Sequence, residues 1–201
     1  MTGLTRQAAE FIAALDPAAV PDICLDAAAF GITDCVAVMI GGFDEPAPGM
    51  ARELIHPISA DDSAPMIPTG EMYAAQDAAF ANGVAAHALD YDDVAIDGHP
   101  STVLGPAILA EGHAVGATGA RALAAYVAGY EVWALLDSLE PGKLHDRGFH
   151  PTAVQGAIAA AAACAVLRGL DADKASHAIA ISASLGAGLV ANFGTMTKPL
   201  H

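Results

Sequence analysis

Positive charge is what this sequence most lacks: 8 Lys and Arg stand against 23 Asp and Glu, a formal net charge of −15 at pH 7. A surface that acidic repels phosphate backbones, which argues against a nucleic-acid partner. The same scarcity makes each cation informative. An anionic ligand would have to draw on few groups, of which Lys143, Arg147 and Lys198 lie nearest the motifs described below, with histidines and helix N-termini to help. Cysteine is sparse too. Cys24, Cys35 and Cys164 show no metal-pair spacing, and their odd number argues against a secreted disulfide framework or an iron–sulfur cluster. Residues 1–20 hold Arg6, Glu10, Asp16 and Pro17 and no long apolar run, so they do not read as a signal peptide. The longest nearly apolar stretches, residues 157–167 and 178–190, fall short of the ~18–20 residues of a membrane span. We therefore expect a cytoplasmic protein with no membrane contact.

Aromatic residues make up only 5% although hydrophobic residues reach 54%, because alanine supplies much of the apolar count. Alanine is the best helix former and lets helices pack closely, so this balance favours an all-α bundle. The length of 201 residues suffices for a real core.

Along the chain, residues 5–15 read as a short amphipathic helix. Pro21 opens a second helix that ends at Gly41-Gly42. Prolines 46, 48, 57, 65 and 68 then predict loops, with one short helix near residues 51–55. Helical character resumes over residues 72–89, and the aspartate-rich segment 90–100 reads as a loop. Ser101 is placed to cap a helix to about His113. Further helices are expected over 120–139, stopped by Pro141-Gly142, over 152–167, and from an Asp171 cap to about Leu185. No internal repeat and no Rossmann or P-loop glycine pattern is present.

Three segments carry candidate chemistry. In the first, NGVAAHALDYDDVAIDGHPS at residues 82–101, a helix delivers His87 and Asp90 on one face, and a loop with Asp92, Asp93 and Asp97 leads to His99-Pro100-Ser101. A carboxylate beside an imidazole fixes its tautomer and raises its basicity, which suits acid/base work. Read alone, the aspartates would equally serve to cap and solvate a loop, with His87 a packing residue. The second segment is Arg147 followed by GFHPT. Pro151 in a first helical turn leaves backbone N–H groups free, and His150 sits at that positive end, where an anion is favoured. The third is Gly194-Thr195-Met196-Thr197-Lys198, where small residues and hydroxyls around a lysine form an anion cradle. Alone, these last two would also pass as a loop histidine and an exposed lysine.

Taken together, the pattern NG-x-x-AH-x-LDYDD, then HPS, GYEV at residues 129–132, GFHPT and GT-x-TK-x-LH resembles the MmgE/PrpD family. That family includes 2-methylcitrate dehydratases, cis-aconitate decarboxylases and iminodisuccinate epimerases. The order and approximate spacing agree over residues 82–201; residues 1–81 agree in helical character only. The resemblance implies a helical domain over residues 1–201 and a lyase or isomerase acting on a small di- or tricarboxylate by proton transfer next to a carboxylate. It implies Asp90, His99 and His150 as catalytic groups, and Lys198 with Arg147, Thr195 and Ser101 on the substrate side. No metal or organic cofactor is required by this chemistry. The expected partners are the carboxylate substrate and either a second copy or a chain supplying a lid.

Two departures from the family pattern stand out. Val94 occupies a position that is often a pocket-facing threonine, so one ligand hydrogen bond of ~0.5–1.5 kcal/mol is lost. Family members also run on past TK-x-LH into more helical domain and an α+β lid, whereas this sequence stops at His201, so we expect a pocket that is incomplete at its C-terminal side. The competing expectation is a catalytically silent helical module kept for association, or a remnant of such an enzyme.

Overall fold

Alanine-rich helices can approach until their backbones nearly touch, and the computed structural model, which describes residues 3–201, is built on that property. Its helices are α1 (Leu4–Ala14), α2 (Asp22–Gly42), α3 (Pro46–Glu53), α4 (Ala75–His87), α5 (Pro100–Ala114), α6 (Gly119–Leu139), the short α7 (Lys143–Asp146), α8 (Pro151–Arg168) and α9 (Ala172–Ala183). The mostly helical architecture is as expected. At the centre, α6 lies against α8 and both meet α5. Helix α4 packs on α5, α2 crosses α4, α5 and α6, and α1 closes over α9 and α8.

The main core gathers Leu104, Ile108, Val132, Trp133, Ala159, Ala162 and Ala163. A Cβ on Gly129 would stand 2.6 Å from Leu104 Cδ2 and 3.1 Å from the Ala159 carbonyl, so glycine is what lets α6 reach α5 and α8 at once. Helix α8 starts with Pro151 in its first turn, where a missing N–H costs nothing, and ends at Gly169 in the left-handed conformation. There the Leu170 N–H reaches the Ala165 carbonyl and satisfies an otherwise orphaned acceptor. Asp171 caps α9 as expected, accepting the Lys174 N–H at 2.9 Å.

Several boundaries differ from the expectations. The proline-rich stretch is not all loop: α3 begins at Pro46 itself, again a first-turn proline. Residues 72–74 are not helical but form strand β2 (Met72–Ala74), antiparallel to β1 (Ser63–Pro65), with Ala64 opposite Tyr73. Both are buried beside Met66, and that burial outweighs the local helical preference. Helix α5 starts at Pro100, one residue before the expected Ser101 cap. Asp93 takes the capping role from the preceding loop, accepting the Ser101 N–H at 3.1 Å.

Uninterrupted apolar runs also understated helix length. Among the described residues, α2 and α8 are long and apolar enough to cross a membrane by length and composition. Helix α8 has 56% of its apolar window buried, as a core helix does; α2 has only 22% buried and leaves Ile23, Phe30 and Ile40 exposed.

Candidate active site

The end of α4 delivers His87, only 3% exposed, and the helix then stops. Asp90 adopts a left-handed backbone at φ 52°, turning the chain outward. His87 and Asp90 therefore do not share a helix face, and the carboxylate that meets His87 is Asp92. Its two oxygens lie 3.0 and 3.2 Å from His87 Nδ1, with the aspartate side chain wholly buried. The loop next makes a tight turn in which Ala95 and Gly98 exchange two backbone hydrogen bonds, and Ile96 and Asp97 both hold positive φ. A β-branched residue in that region is strained, so something must hold it. The Trp133 indole does so, donating to the Ile96 carbonyl at 3.0 Å, while a Cβ on Gly98 would meet the same ring at 2.7 Å. The His99 N–H then donates to Thr152 Oγ1 at 3.1 Å, tying the loop to the first turn of α8.

These anchors place His99 between two carboxylates. Its Nδ1 is 3.1 Å from Asp92 Oδ2, close but off the line of a straight hydrogen bond, and its Nε2 is 3.6 Å from Asp90 Oδ1. His150, at the N-terminus of α8 and 1% exposed, stacks on His87 with ring centroids 5.8 Å apart. Its backbone N–H is held by the Gly188 carbonyl. The C-terminal segment folds back over this group. Lys198, 6% exposed, bonds Asp90 and lies 5.2 Å from the Phe193 ring centre. His201 Nδ1 lies 3.1 Å from His150 Nδ1, and its Nε2 is 3.1 Å from the Asn192 amide nitrogen. That nitrogen can only donate, so His201 accepts at Nε2, donates at Nδ1, and leaves the Nε2–H of His150 buried without a partner.

Asp90, Lys198, Thr195 and His87 line a cleft of about 280 Å³ beside α3, and the His99 and His150 rings pack against His87. A second cleft of about 250 Å³, running along α4 and α5, shares His87 and reaches Thr152 and His201. A larger apolar hollow between α2 and α6 has no such convergence of acid, base and cation.

The electrostatics follow from burial and neighbours. Burial pushes the His150 imidazole down to about 3, and the nearby His87, His201 and Lys198 push the same way, so it is neutral at pH 7. His201 is lowered by burial, then by His87 and Lys198. Burial alone would raise the Asp92 and Asp90 carboxyls. The His87 hydrogen bond and the close His99 imidazole outweigh it at Asp92, and the Lys198 bond and charge outweigh it at Asp90, so both stay below the usual carboxylate range. At Asp93 burial prevails and the carboxyl is raised, against the opposing bonds from Ser101. By spacing, His87, Asp90, Asp92 and His99 bring ligand atoms within 4.8 Å of one another, a set able to hold a cation. Of these four, Asp90 is paired with the Lys198 ammonium.

The structure thus brings Asp90, His99, His150 and Lys198 together, with Thr195 on the cleft wall donating to the Asn192 carbonyl. Two expected residues stand elsewhere. Arg147 is exposed and paired with Glu140 at 2.6 Å, outside both clefts, because the α7 turn carries it onto the surface. Ser101 points into the core, 2.5 Å from Tyr126 Oη, because Pro100 takes the helix start and rotates the next residue inward. Val94 is exposed and outside the cleft lining. His87 and Asp92 stood in the first candidate segment without being assigned to the site, and His201 and Asn192 were not assigned either. The AH-x-LDYDD spacing held a signal for the first two, but it pairs His87 with Asp90 unless the helix end is known.

Residues 6–201 match the model of the MmgE/PrpD N-terminal domain. The chain belongs to the MmgE/PrpD family. It is 37% identical over 130 residues to the cis-aconitate decarboxylases of Mus musculus and Homo sapiens, covering 62% of this chain and 27% of each relative. It is 30% identical over 198 residues to a cis-aconitate decarboxylase-like protein of Aspergillus oryzae, covering 94% of this chain and 41% of the relative. The chain therefore spans well under half the length of these curated relatives.

Proposed function

We propose that this MmgE/PrpD domain carries the proton-transfer and carboxylate-holding groups of a lyase or isomerase acting on a small di- or tricarboxylate. The observation that carries this reading is the Lys198–Asp90 pair at the mouth of a cleft backed by three clustered imidazoles. An incoming carboxylate would take the place of Asp90 against the Lys198 ammonium, a charge-assisted contact. The neutral His150 supplies an N–H beside it at the positive end of α8. Asp90 and His99 are the proton carriers. A proton leaves the carbon next to a carboxylate for one of these bases, and the electron pair left behind expels hydroxide, taken up with a proton as water, or recaptures a proton on the opposite face. In the decarboxylating variant, CO₂ departs and the carbon takes the proton instead.

The relatives' names make cis-aconitate the first compound to test. Calorimetry should detect its binding to the 201-residue chain, and Lys198→Met should weaken it by roughly 10–100-fold, the loss of one charged hydrogen bond of about 1.5–3 kcal/mol. Equal binding by both would remove the lysine from the reading, and no binding by either would favour an association module. For turnover, the reading places further pocket residues in the length that the relatives have beyond this domain, so the 201 residues alone should turn over little or not at all. The exposed apolar face of α2 supports association with a second copy or a lid-bearing chain as part of the same reading.

A further inference from the structure

Asp92 carries no role in the reaction as read above, yet it is the most deeply buried carboxylate of the site. Its side chain is fully buried, and two imidazoles approach it by the same ring atom, Nδ1, at 3.0 Å for His87 and 3.1 Å for His99. A carboxylate can only accept, so the His87 Nδ1 bonded to it carries the hydrogen, and the His99 Nδ1, 3.1 Å away though off the line of a straight bond, is placed for the same state. In a neutral ring with hydrogen on Nδ1, Nε2 is left as a lone pair. In His87 that atom is buried and has no partner, and the ring lines both clefts; in His99 it faces Asp90 at 3.6 Å. The two rings meet edge to face with centroids 4.7 Å apart.

We infer that Asp92 is the positioning residue of this site, one carboxylate that fixes the tautomer of two histidines and presents both Nε2 atoms as proton acceptors. It follows that His87, rather than serving only as packing, is held ready as a second acceptor on the cleft wall. The inference rests on the lyase or isomerase reading for its purpose, but its geometry does not depend on turnover.

Nitrogen-15 spectra of the histidine rings in the 201-residue chain at pH 8, above the ordinary imidazole range, test it directly. Both His87 and His99 should show hydrogen on Nδ1 and none on Nε2. Asp92→Asn offers one acceptor oxygen and one donor nitrogen, so at least one ring should switch to the Nε2–H form, while Asp93→Asn, which keeps an acceptor oxygen for the Ser101 N–H, should leave both unchanged. Hydrogen on Nε2 of either ring in the unsubstituted chain overturns the inference, and this measurement stands even where Asp92→Asn fails to fold. So does an Asp92→Asn protein, folded by circular dichroism, in which both rings keep Nδ1–H. The expected tautomers without any cis-aconitate binding would uphold the positioning role and count against the lyase reading alone.

Discussion

Replacing Trp133 by phenylalanine tests whether the core and the site are one mechanical unit. Trp133 is fully buried in α6, and its indole N–H is the bond that holds the Ile96 carbonyl in a turn where two successive residues adopt positive φ. Phenylalanine keeps a buried ring but loses that donor and part of the ring volume. The lost hydrogen bond is worth about 1 kcal/mol net. The smaller ring leaves a void against Gly98 and Gly156, which adds roughly 1–2 kcal/mol. For a chain of this size each kcal/mol lowers the melting temperature by about 2–4 °C, so a total of about 2–3 kcal/mol predicts a drop of about 4–12 °C. Calorimetric or circular-dichroism melts read this. Hydrogen exchange should quicken at Ala95, Gly98 and His99, whose amides all bond within or out of the turn. A melt within a degree of the unsubstituted chain, with unchanged exchange at those amides, would refute the claim that Trp133 anchors the loop.

Two further predictions concern acid and assembly. His150 is held neutral by a pKa near 3 against an ordinary value of 6.5, so the unfolded chain binds the proton more readily. Stability is therefore full above about pH 6.5 and falls as pH drops toward 3, and a folded His150→Asn chain should show a shallower decline over that window in melts taken from pH 7 to 4. An undiminished slope would mean that other groups, His201 foremost, carry it. The second addresses α2: light scattering at micromolar concentration should show self-association that a double substitution, Ile23→Asp with Phe30→Asp, abolishes, since both side chains are more than three-quarters exposed. A clean monomer before substitution would remove α2 from consideration as an interface.

How much of this was legible in the sequence depended on the length scale of each signal. The long alanine-rich helices were, because their propensity is summed over many residues and agrees with their burial; α6 and α8 begin and end within a residue of expectation. Strand β2 was not, because three residues carry almost no periodicity and its pairing with β1, Ser63 to Ala74 and Pro65 to Met72, joins residues across an intervening turn. Arg147 shows the limit of reasoning by proximity in sequence. It adjoins His150 closely enough to look like part of one anion site, yet the short α7 turn, which no pattern announced, aims it at Glu140.

The site itself was half legible, and the missing half has a common cause. Asp90, His99, His150 and Lys198 stood out as titratable residues in motifs, and their gathering follows from helix ends meeting at one edge of the bundle. The pairing among them hinges on a single backbone angle. Had α4 continued one more turn, His87 and Asp90 would have faced the same way and Asp92 would have pointed to solvent. With Asp90 at φ 52°, the chain reverses, Asp92 turns inward to two imidazoles, and Asp90 is freed for Lys198, which lies 108 residues away. Such an angle is set by what surrounds the loop rather than by the loop's own composition. Here that means the Trp133 bond to Ile96, the Thr152 bond to His99 and the Asp93 bond to Ser101 acting together. The aspartate run DYDD therefore divides its labour by position: the first carboxylate meets the lysine, the second orients the histidines, and the third caps the helix that carries them onward.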